Sequence, residues 1–253
     1  MPEGSVVRIA LVYPDLLGTY GDSGNAVILA QRLRWRGHDA ELITVNAGAL
    51  LPSSCDIYVV GGGEDLPQAL AASQLIDRGP LNRAADRGAA ILAVCAGLQI
   101  LGHSFVGPDG IERAGLGLLD CRTELGRRRT IGELVVQPFT DLGLPALTGY
   151  ENHRGVTLLG LDARPTGRVG TGVGNGDGTD GVVAGRIWAT YMHGPVLARN
   201  PLLADRVLAL VVGPLAPLDD YESEALRAER LRAANMTVRQ RLAMFWRRRA
   251  SLG

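Results

Sequence analysis

One of the three cysteines in this sequence lies where a thiol could act as a nucleophile. Cys95 directly follows an apolar, strand-like run, residues 89–94, and precedes residues 96–99, which begin a predicted helix. A strand-to-helix turn exposes the side chain at its tip, and the N-terminus of the helix favours the thiolate. We therefore predict that Cys95 is a nucleophile, whereas Cys55 and Cys121 are predicted to be small buried hydrophobes.

A thiolate nucleophile needs a partner that moves protons, and the sequence contains four histidines. His193 follows a buried-type strand, residues 187–192, and the carboxyl ends of parallel strands meet at one edge of a sheet. We therefore predict that His193 and Cys95 meet there. His153 remains the competing candidate, and His38 and His103 are expected to be surface and structural residues.

An acyl-transfer site also needs donors that stabilise a developing oxyanion. Residues 61–63 are all glycine and follow the third predicted strand, at the same sheet edge as Cys95. We expect the backbone N–H of Ala96 and that of either Gly62 or Gly63 to form the oxyanion hole.

Short apolar strands alternate with helix-like segments along the first two hundred residues, which indicates a parallel sheet covered by helices on both faces. A helix over residues 22–36 is predicted to take Asp22 or Ser23 as its N-cap. Predicted strands cover residues 8–13, 40–45, 57–60, 89–94, 117–120, 131–137, 156–159, 182–184 and 187–192, and further helices cover residues 66–87, with a break near Gly79-Pro80, and 200–212.

Composition excludes several classes of function. The chain has 26 basic and 26 acidic residues, so no strong overall charge favours nucleic acid or membrane binding. Every basic residue is Arg, and without Lys the sequence can form neither a Walker A loop nor a lysine Schiff base.

No signal peptide or membrane-spanning run is recognised, and sparse cysteines suit a reducing compartment, so we expect a cytoplasmic protein.

The C-terminal stretch differs from the rest of the chain. Residues 219–249 contain no Gly or Pro and are predicted to be helical. Residues 221–253 contain eight Arg and three Glu, a net charge of +5. Two interpretations stay open: an amphipathic helix packed on its own domain, or a docking arm for a partner chain. A membrane-surface helix is a weaker third.

Five segments together resemble the class I glutamine amidotransferases, and in particular their cobyric-acid-synthase-like branch. Within that branch they are most similar to the glutaminase subunits of lipid II isoglutaminyl synthases. The resemblance implies a flavodoxin-like three-layer α/β sandwich with a mostly parallel central sheet over residues 6–212. The residues after it, 213–253, are predicted from their composition to form a helical basic extension. The segments are YGDSGN (20–25), GGGED (61–65), VCAGLQ (94–99), GYENH (149–153) and YMHGP (191–195).

The same resemblance implies roles for individual residues. Cys95 would attack the side-chain amide of glutamine, and His193 would protonate the leaving ammonia and then activate water. Gln99 matches a position that helps to bind glutamine, although a plain helix-surface residue is the alternative. Arg129 is the candidate for the substrate carboxylate, which a guanidinium binds well. Arg128 is the second choice, and a merely solvated arginine loop remains open.

One departure from the family pattern concerns the residue that orients the imidazole. Most triad enzymes of this class have His-x-Glu, whereas this sequence has Pro195 two residues after His193. Either a Cys–His dyad suffices, or another carboxylate such as Glu64 or Glu151 takes that place.

The resemblance also implies a partner. An ATP-dependent, Mur-ligase-like subunit would activate the α-carboxyl of D-glutamate in lipid II, and this chain would supply the ammonia that converts it to D-isoglutamine. No cofactor or metal is expected. Three other hypotheses stay open: the protein is an amidotransferase subunit of the cobalamin pathway, a different intracellular thiol hydrolase, or a non-enzymatic flavodoxin-like module with a buried Cys95.

Overall fold

A computed structural model describes residues 5–234, apart from the side chain of Arg78. Its strands are β1 (Val7–Val12), β2 (Ala40–Val45), β3 (Ile57–Val60), β4 (Ala90–Val94), β5 (Ser104–Val106), β6 (Glu112–Ala114), β7 (Cys121–Pro138), β8 (Leu147–Leu159), β9 (Gly167–Thr171), β10 (Thr179–Asp180), β11 (Val182–Ala184) and β12 (Ile187–Thr190). Its α-helices are α1 (Gly24–Arg34), α2 (Asp65–Arg78), α3 (Pro80–Asp86), α4 (Ala96–Leu101), α5 (Val196–Arg199), α6 (Pro201–Val212) and α7 (Tyr221–Ala234), with a 3-10 turn at Thr140–Leu142.

The central sheet has the strand order β11-β12-β4-β3-β1-β2. Every pairing in it is parallel except that of β11 with β12. Strands β3, β4 and β12 are buried along their whole length, which explains why their sequences are continuous apolar runs rather than alternating ones. The mostly parallel sheet predicted from the sequence is therefore confirmed.

Helices pack on this sheet and against one another, α1 with α5 and α6, and α2 with α4. The predicted break in the second helical segment is also present, because Gly79 adopts a left-handed φ of 52° between α2 and α3, and Pro80 begins α3. A buried guanidinium joins three elements: Arg32 of α1 donates to Asp205 of α6 at 2.7 Å and to Asp220, just before α7, at 2.7 Å.

A second sheet with the order β10-β9-β7-β5-β6 contains the long hairpin of β7 and β8. The two short strands predicted over residues 131–137 and 156–159 are parts of these much longer strands. The strand predicted over residues 117–120 does not form. Instead, the N–H groups of Leu118 and Leu119 both donate to the carbonyl of Leu101, because the last carbonyls of α4 have no partners within the helix.

Only the first part of the predicted C-terminal helix lies within the described residues. Helix α7 packs on α5 and on the β7–β8 hairpin, and Arg227 donates to the carbonyl oxygen of Ala146 at 2.8 Å. The remainder of the predicted extension, residues 235–253, lies outside the described residues. Within residues 5–234, no helix combines the length and the apolar character that crossing a membrane requires.

Candidate active site

Cys95 occupies a strained turn between β4 and α4. Its φ of 50° and ψ of −103° are unusual for a residue with a side chain. Gly97 makes the turn possible, since a Cβ at that position would lie 2.5 Å from the carbonyl oxygen of Val60. The N–H of Cys95 donates to Thr190 O at 2.8 Å, which ties the turn to the end of β12.

His193 lies just beyond β12, and the pairing of Thr190 with Val94 brings the ends of β12 and β4 side by side. The backbone of His193 also exchanges two hydrogen bonds with Tyr150 of β8, at 2.7 and 3.2 Å. Both sheets therefore position this histidine. The sequence-based prediction that Cys95 and His193 lie at one sheet edge agrees with this geometry.

The imidazole of His193 is fully buried and is held by the carboxylate of Asp22. Its Nδ1 lies 2.8 Å from Oδ2 of Asp22, which is itself fully buried. The prediction that Asp22 or Ser23 caps α1 is wrong: Ser23 is at the N-cap position but makes no side-chain cap, and the Asp22 carboxylate is turned towards His193 instead. The signal available in the sequence was the position of Asp22 after β1, at the same carboxyl edge of the sheet.

The two carboxylates suggested as orienting groups contact other residues. Glu64 accepts a hydrogen bond from Tyr20 at 2.7 Å, and Glu151 lies 3.2 Å from His153 Nε2. Asp22, rather than either of them, pairs with His193.

Two neighbours act on the protonation of His193. Burial disfavours the imidazolium and lowers its pKa, but the hydrogen bond to Asp22 and the interaction with the Cys95 thiol outweigh burial and raise the pKa of His193 above its ordinary value. The other ring nitrogen, Nε2, is buried without a properly formed hydrogen bond in the described chain. Hydrogen bonds between catalytic groups are often long or poorly aligned until the substrate binds.

The predicted oxyanion hole needs one correction. The N–H of Gly62 donates to Oδ2 of Asp22 at 2.9 Å and is therefore not free. Gly62 instead allows the imidazole to approach, since a Cβ there would lie 2.4 Å from Cε1 of His193. The N–H groups of Gly63 and Ala96 donate to no acceptor in residues 5–234, so these two remain the candidates.

Cys95 opens into a cavity of about 540 Å³ that Gly63, Gln99 and Arg129 also line. Arg129 Nε donates to Oδ1 of Asn152 at 2.6 Å, which orients the guanidinium over the cavity. Arg128 is not among the lining residues. Of the two arginines considered from the sequence, the structure therefore favours Arg129.

A family model of the CobB/CobQ-like glutamine amidotransferase domain matches residues 8–201. The chain belongs to this family of glutamine amidotransferases. The strained cysteine and the buried histidine beside it are thus parts of an amidotransferase fold, and the expected α/β architecture of that class is confirmed.

Two curated relatives extend the comparison. This amidotransferase is 36% identical over 198 residues to the GatD subunit of the glutamine-hydrolyzing lipid II isoglutaminyl synthase of Staphylococcus aureus, covering 77% of this chain and 79% of the relative. It is 32% identical over 212 residues to the same subunit of Streptococcus pneumoniae, covering 80% and 79%. A solved glutamine amidotransferase aligns with a TM-score of 0.55 at 21% identity over 80% of this chain and 98% of that one, which shows the shared fold.

Gln99 lies inside this amidotransferase rather than on a helix surface. Its amide oxygen accepts a hydrogen bond from Gln68 Nε2 at 2.7 Å, and its amide nitrogen donates to the Tyr191 hydroxyl at 3.2 Å. The Tyr191 hydroxyl in turn lies 2.7 Å from that of Thr157 in β8. The amide of Gln99 is thus held in a fixed orientation beside Cys95.

His153, the competing histidine, belongs to a separate buried pair in the amidotransferase. Both of its ring nitrogens face acceptors, Glu151 Oε2 at 3.2 Å and the carbonyl oxygen of Gly155 at 3.0 Å. Its ring stacks on Tyr191 with 3.8 Å between centroids. With both nitrogens engaged, His153 has no free position from which to exchange a proton with Cys95.

Proposed function

We propose that this amidotransferase is a glutaminase subunit that hydrolyses L-glutamine to glutamate and ammonia through a thioester on Cys95. One observation carries the proposal: a buried imidazole, held at Nδ1 by Asp22, lies beside a cysteine on a strained strand-to-helix turn. The nucleophile, the proton carrier and the orienting carboxylate of a covalent mechanism are then Cys95, His193 and Asp22.

In the first half of the reaction, Cys95 Sγ attacks the side-chain amide carbon of glutamine. The resulting oxyanion is stabilised by the free N–H groups of Ala96 and Gly63. His193, kept protonated by Asp22, gives its Nε2 proton to the amide nitrogen. The C–N bond then breaks, ammonia leaves, and a thioester remains.

In the second half, the now neutral imidazole of His193 takes a proton from water, and the hydroxide adds to the thioester carbon. The C–S bond breaks, the Cys95 thiolate is restored, and glutamate leaves. One glutamine and one water thus give one glutamate and one ammonia. Arg129 would bind the α-carboxylate of the substrate, and Gln99 would fix its position in the pocket.

The ammonia would pass to a second subunit. The two GatD relatives are named as subunits of lipid II isoglutaminyl synthase, which supports a two-chain enzyme. We propose that the partner is an ATP-dependent, Mur-ligase-like chain of the MurT type, working with this subunit in the cytoplasm. It would activate the α-carboxyl of D-glutamate in lipid II, and the ammonia would convert it to D-isoglutamine during peptidoglycan synthesis.

The experiment is to co-purify the partner and to measure glutamine-dependent amidation of lipid II by mass spectrometry. Cys95→Ala should abolish both amidation and glutamate release, whereas the control Cys55→Ala should retain both. With ammonium chloride in place of glutamine, the complex containing Cys95→Ala should regain amidation. Amidation of a corrinoid acid but not of lipid II would favour a cobalamin-pathway subunit. Peptide cleavage without glutamate release would favour another thiol hydrolase.

We propose that residues 6–212 form the amidotransferase domain and that the basic residues after it dock the partner. Because α7 packs on α5 and Arg227 donates to the carbonyl oxygen of Ala146, truncation should spare α7 and remove only residues 235–253, which contain five Arg and no acidic residue. We expect this truncation to weaken complex formation, as measured by co-purification with the partner. Normal assembly of the truncated chain would exclude the docking role. Glutaminase activity should rise when the partner is added.

A further inference from the structure

A second charged pair faces the cavity beside the Cys95 turn. Glu64 follows the three glycines after β3, and its Oε2 lies 3.8 Å from Nη2 of Arg129. That distance is too long for a hydrogen bond. Both side chains line the cavity and are about half exposed, at 49% for Glu64 and 42% for Arg129.

The hydroxyl of Tyr20 holds the two charges in place without neutralising them. It receives hydrogen bonds from Arg129 Nη2 at 3.2 Å and from Asn152 Nδ2 at 2.9 Å. Since a hydroxyl has one proton and two lone pairs, that proton must point to Glu64 Oε1, 2.7 Å away. The hydroxyl is thereby saturated, and the orientations of Glu64 and Arg129 are coupled through it.

Each member of the pair keeps unused hydrogen-bonding capacity. Oε2 of Glu64 accepts no hydrogen bond from the described chain, and Nη1 of Arg129 donates none there. A free carboxylate oxygen beside a free guanidinium nitrogen is complementary to a small ligand that carries an ammonium and a carboxylate on one carbon. An α-amino acid has this arrangement.

We propose that Glu64 binds the α-ammonium group of glutamine while Arg129 binds the α-carboxylate of the same molecule. This inference rests on the proposed glutaminase function and adds the recognition of the amino group. Glu64 is then a specificity residue, because its carboxylate favours a primary amide that also carries a free α-ammonium group over amides of the same length that lack one.

The test compares L-glutamine with glutaramate, which is glutamine without its α-amino group. Each ligand's apparent dissociation constant is taken as the concentration that half-protects Cys95 against alkylation in the full-length protein, a readout that counts both bound ligand and the thioester formed from it. Glutaramate should protect the wild type about tenfold less well than glutamine, because a charge-assisted hydrogen bond at a half-exposed site contributes about that factor.

Glu64→Gln keeps an acceptor for Tyr20 but removes the negative charge. It should weaken glutamine binding about tenfold and change glutaramate binding less than twofold. The matched control is Glu124→Gln, because Glu124 forms an exposed pair with Arg122 at 3.7 Å that does not line this cavity. We expect no change in either dissociation constant for that control.

Two results would overturn the inference alone: unchanged glutamine affinity in Glu64→Gln, or equal weakening of both ligands, which would mean that Glu64 acts only through Arg129 or Tyr20. A wild-type protein in which glutamine gives no protection at all would instead contradict the glutaminase function itself.

Discussion

Replacing Asp22 tests the arrangement on which the proposed chemistry depends. Its Oδ2 accepts two hydrogen bonds in a fully buried site, 2.8 Å from His193 Nδ1 and 2.9 Å from the N–H of Gly62. Asp22→Asn keeps one oxygen that can accept both bonds, removes the charge, and places an amide NH2 where the unpartnered Oδ1 lies. Asp22→Ala leaves both N–H groups without an acceptor.

The two variants should differ in size of effect. A hydrogen bond to a charged group contributes roughly 1–2 kcal/mol more than a neutral one, so Asp22→Asn should lower kcat/KM for glutamine about tenfold. Two buried donors left unpaired cost roughly 1–3 kcal/mol each, so Asp22→Ala should lower it by more than about 100-fold. The assay is glutamate release, with Asp15→Asn as control, because Asp15 lies on the same loop and accepts from Ala47 instead.

The pH profile supplies a readout that a loss of stability would not produce. Asp22 raises the pKa of His193, so its replacement must lower that pKa, and the imidazolium needed to protonate the leaving amide nitrogen is then lost at lower pH. The alkaline limb of kcat/KM should therefore move to lower pH in Asp22→Asn. Activity within twofold of wild type, with the limb unmoved, would refute the role of Asp22.

Three further perturbations have clear expected outcomes. Gly62→Ala places a Cβ 2.4 Å from Cε1 of His193 and should lower kcat for glutamine about 100-fold in a folded protein. Arg32→Ala removes the buried guanidinium that joins Asp205 and Asp220 and leaves Asp205 with Arg36 alone, so it should lower the free energy of unfolding in urea by about 3 kcal/mol. Burial raises the pKa of Cys121 to about 12, whereas Cys95 lines a cavity that a small reagent can enter, so iodoacetamide at pH 7.5 should alkylate Cys95 first, as peptide mass spectrometry would reveal.

Each of these outcomes has a matched comparison. Gly170→Ala should be silent in the kinetic assay, because the nearest atom to its Cβ would be 3.8 Å away. Arg8→Ala removes an exposed ion pair with Glu41 and should lower the free energy of unfolding by less than about 1 kcal/mol. A decrease as large as that of Arg32→Ala would contradict the conclusion that burial makes the Arg32 pairs stronger. Labelling of Cys55 before Cys95 would contradict the assignment of the nucleophile, since burial also raises the pKa of the Cys55 thiol.

Much of the central sheet could be predicted from local pattern. Continuous apolar runs such as β3 and β4 indicate strands buried on both faces, and glycines such as Gly79 mark where a helix must end. A cysteine between such a strand and a helix indicates a strained turn. The proximity of Cys95 and His193 then follows from sheet geometry, because parallel strands present their carboxyl ends together.

The strands of the second sheet could be predicted less well from local sequence pattern. Strand β7 has exposed residues along much of its length, β8 is mostly buried or partly buried, and the short predicted strands proved to be parts of this one long hairpin. Their apolar residues mark only the buried portions, whereas backbone pairing, which is independent of side-chain type, continues through the exposed portions.

Only tertiary structure decided which groups surround the imidazole. Asp22 lies 171 residues from its partner, and an aspartate before a helix looks the same in sequence whether it caps that helix or turns towards a histidine. The N–H of Gly62 donates to that same carboxylate, and a run of glycines in the sequence does not reveal this hydrogen bond. Sequence determined the kinds of chemical groups at the sheet edge, but their pairing depended on distances that exist only when the chain is folded.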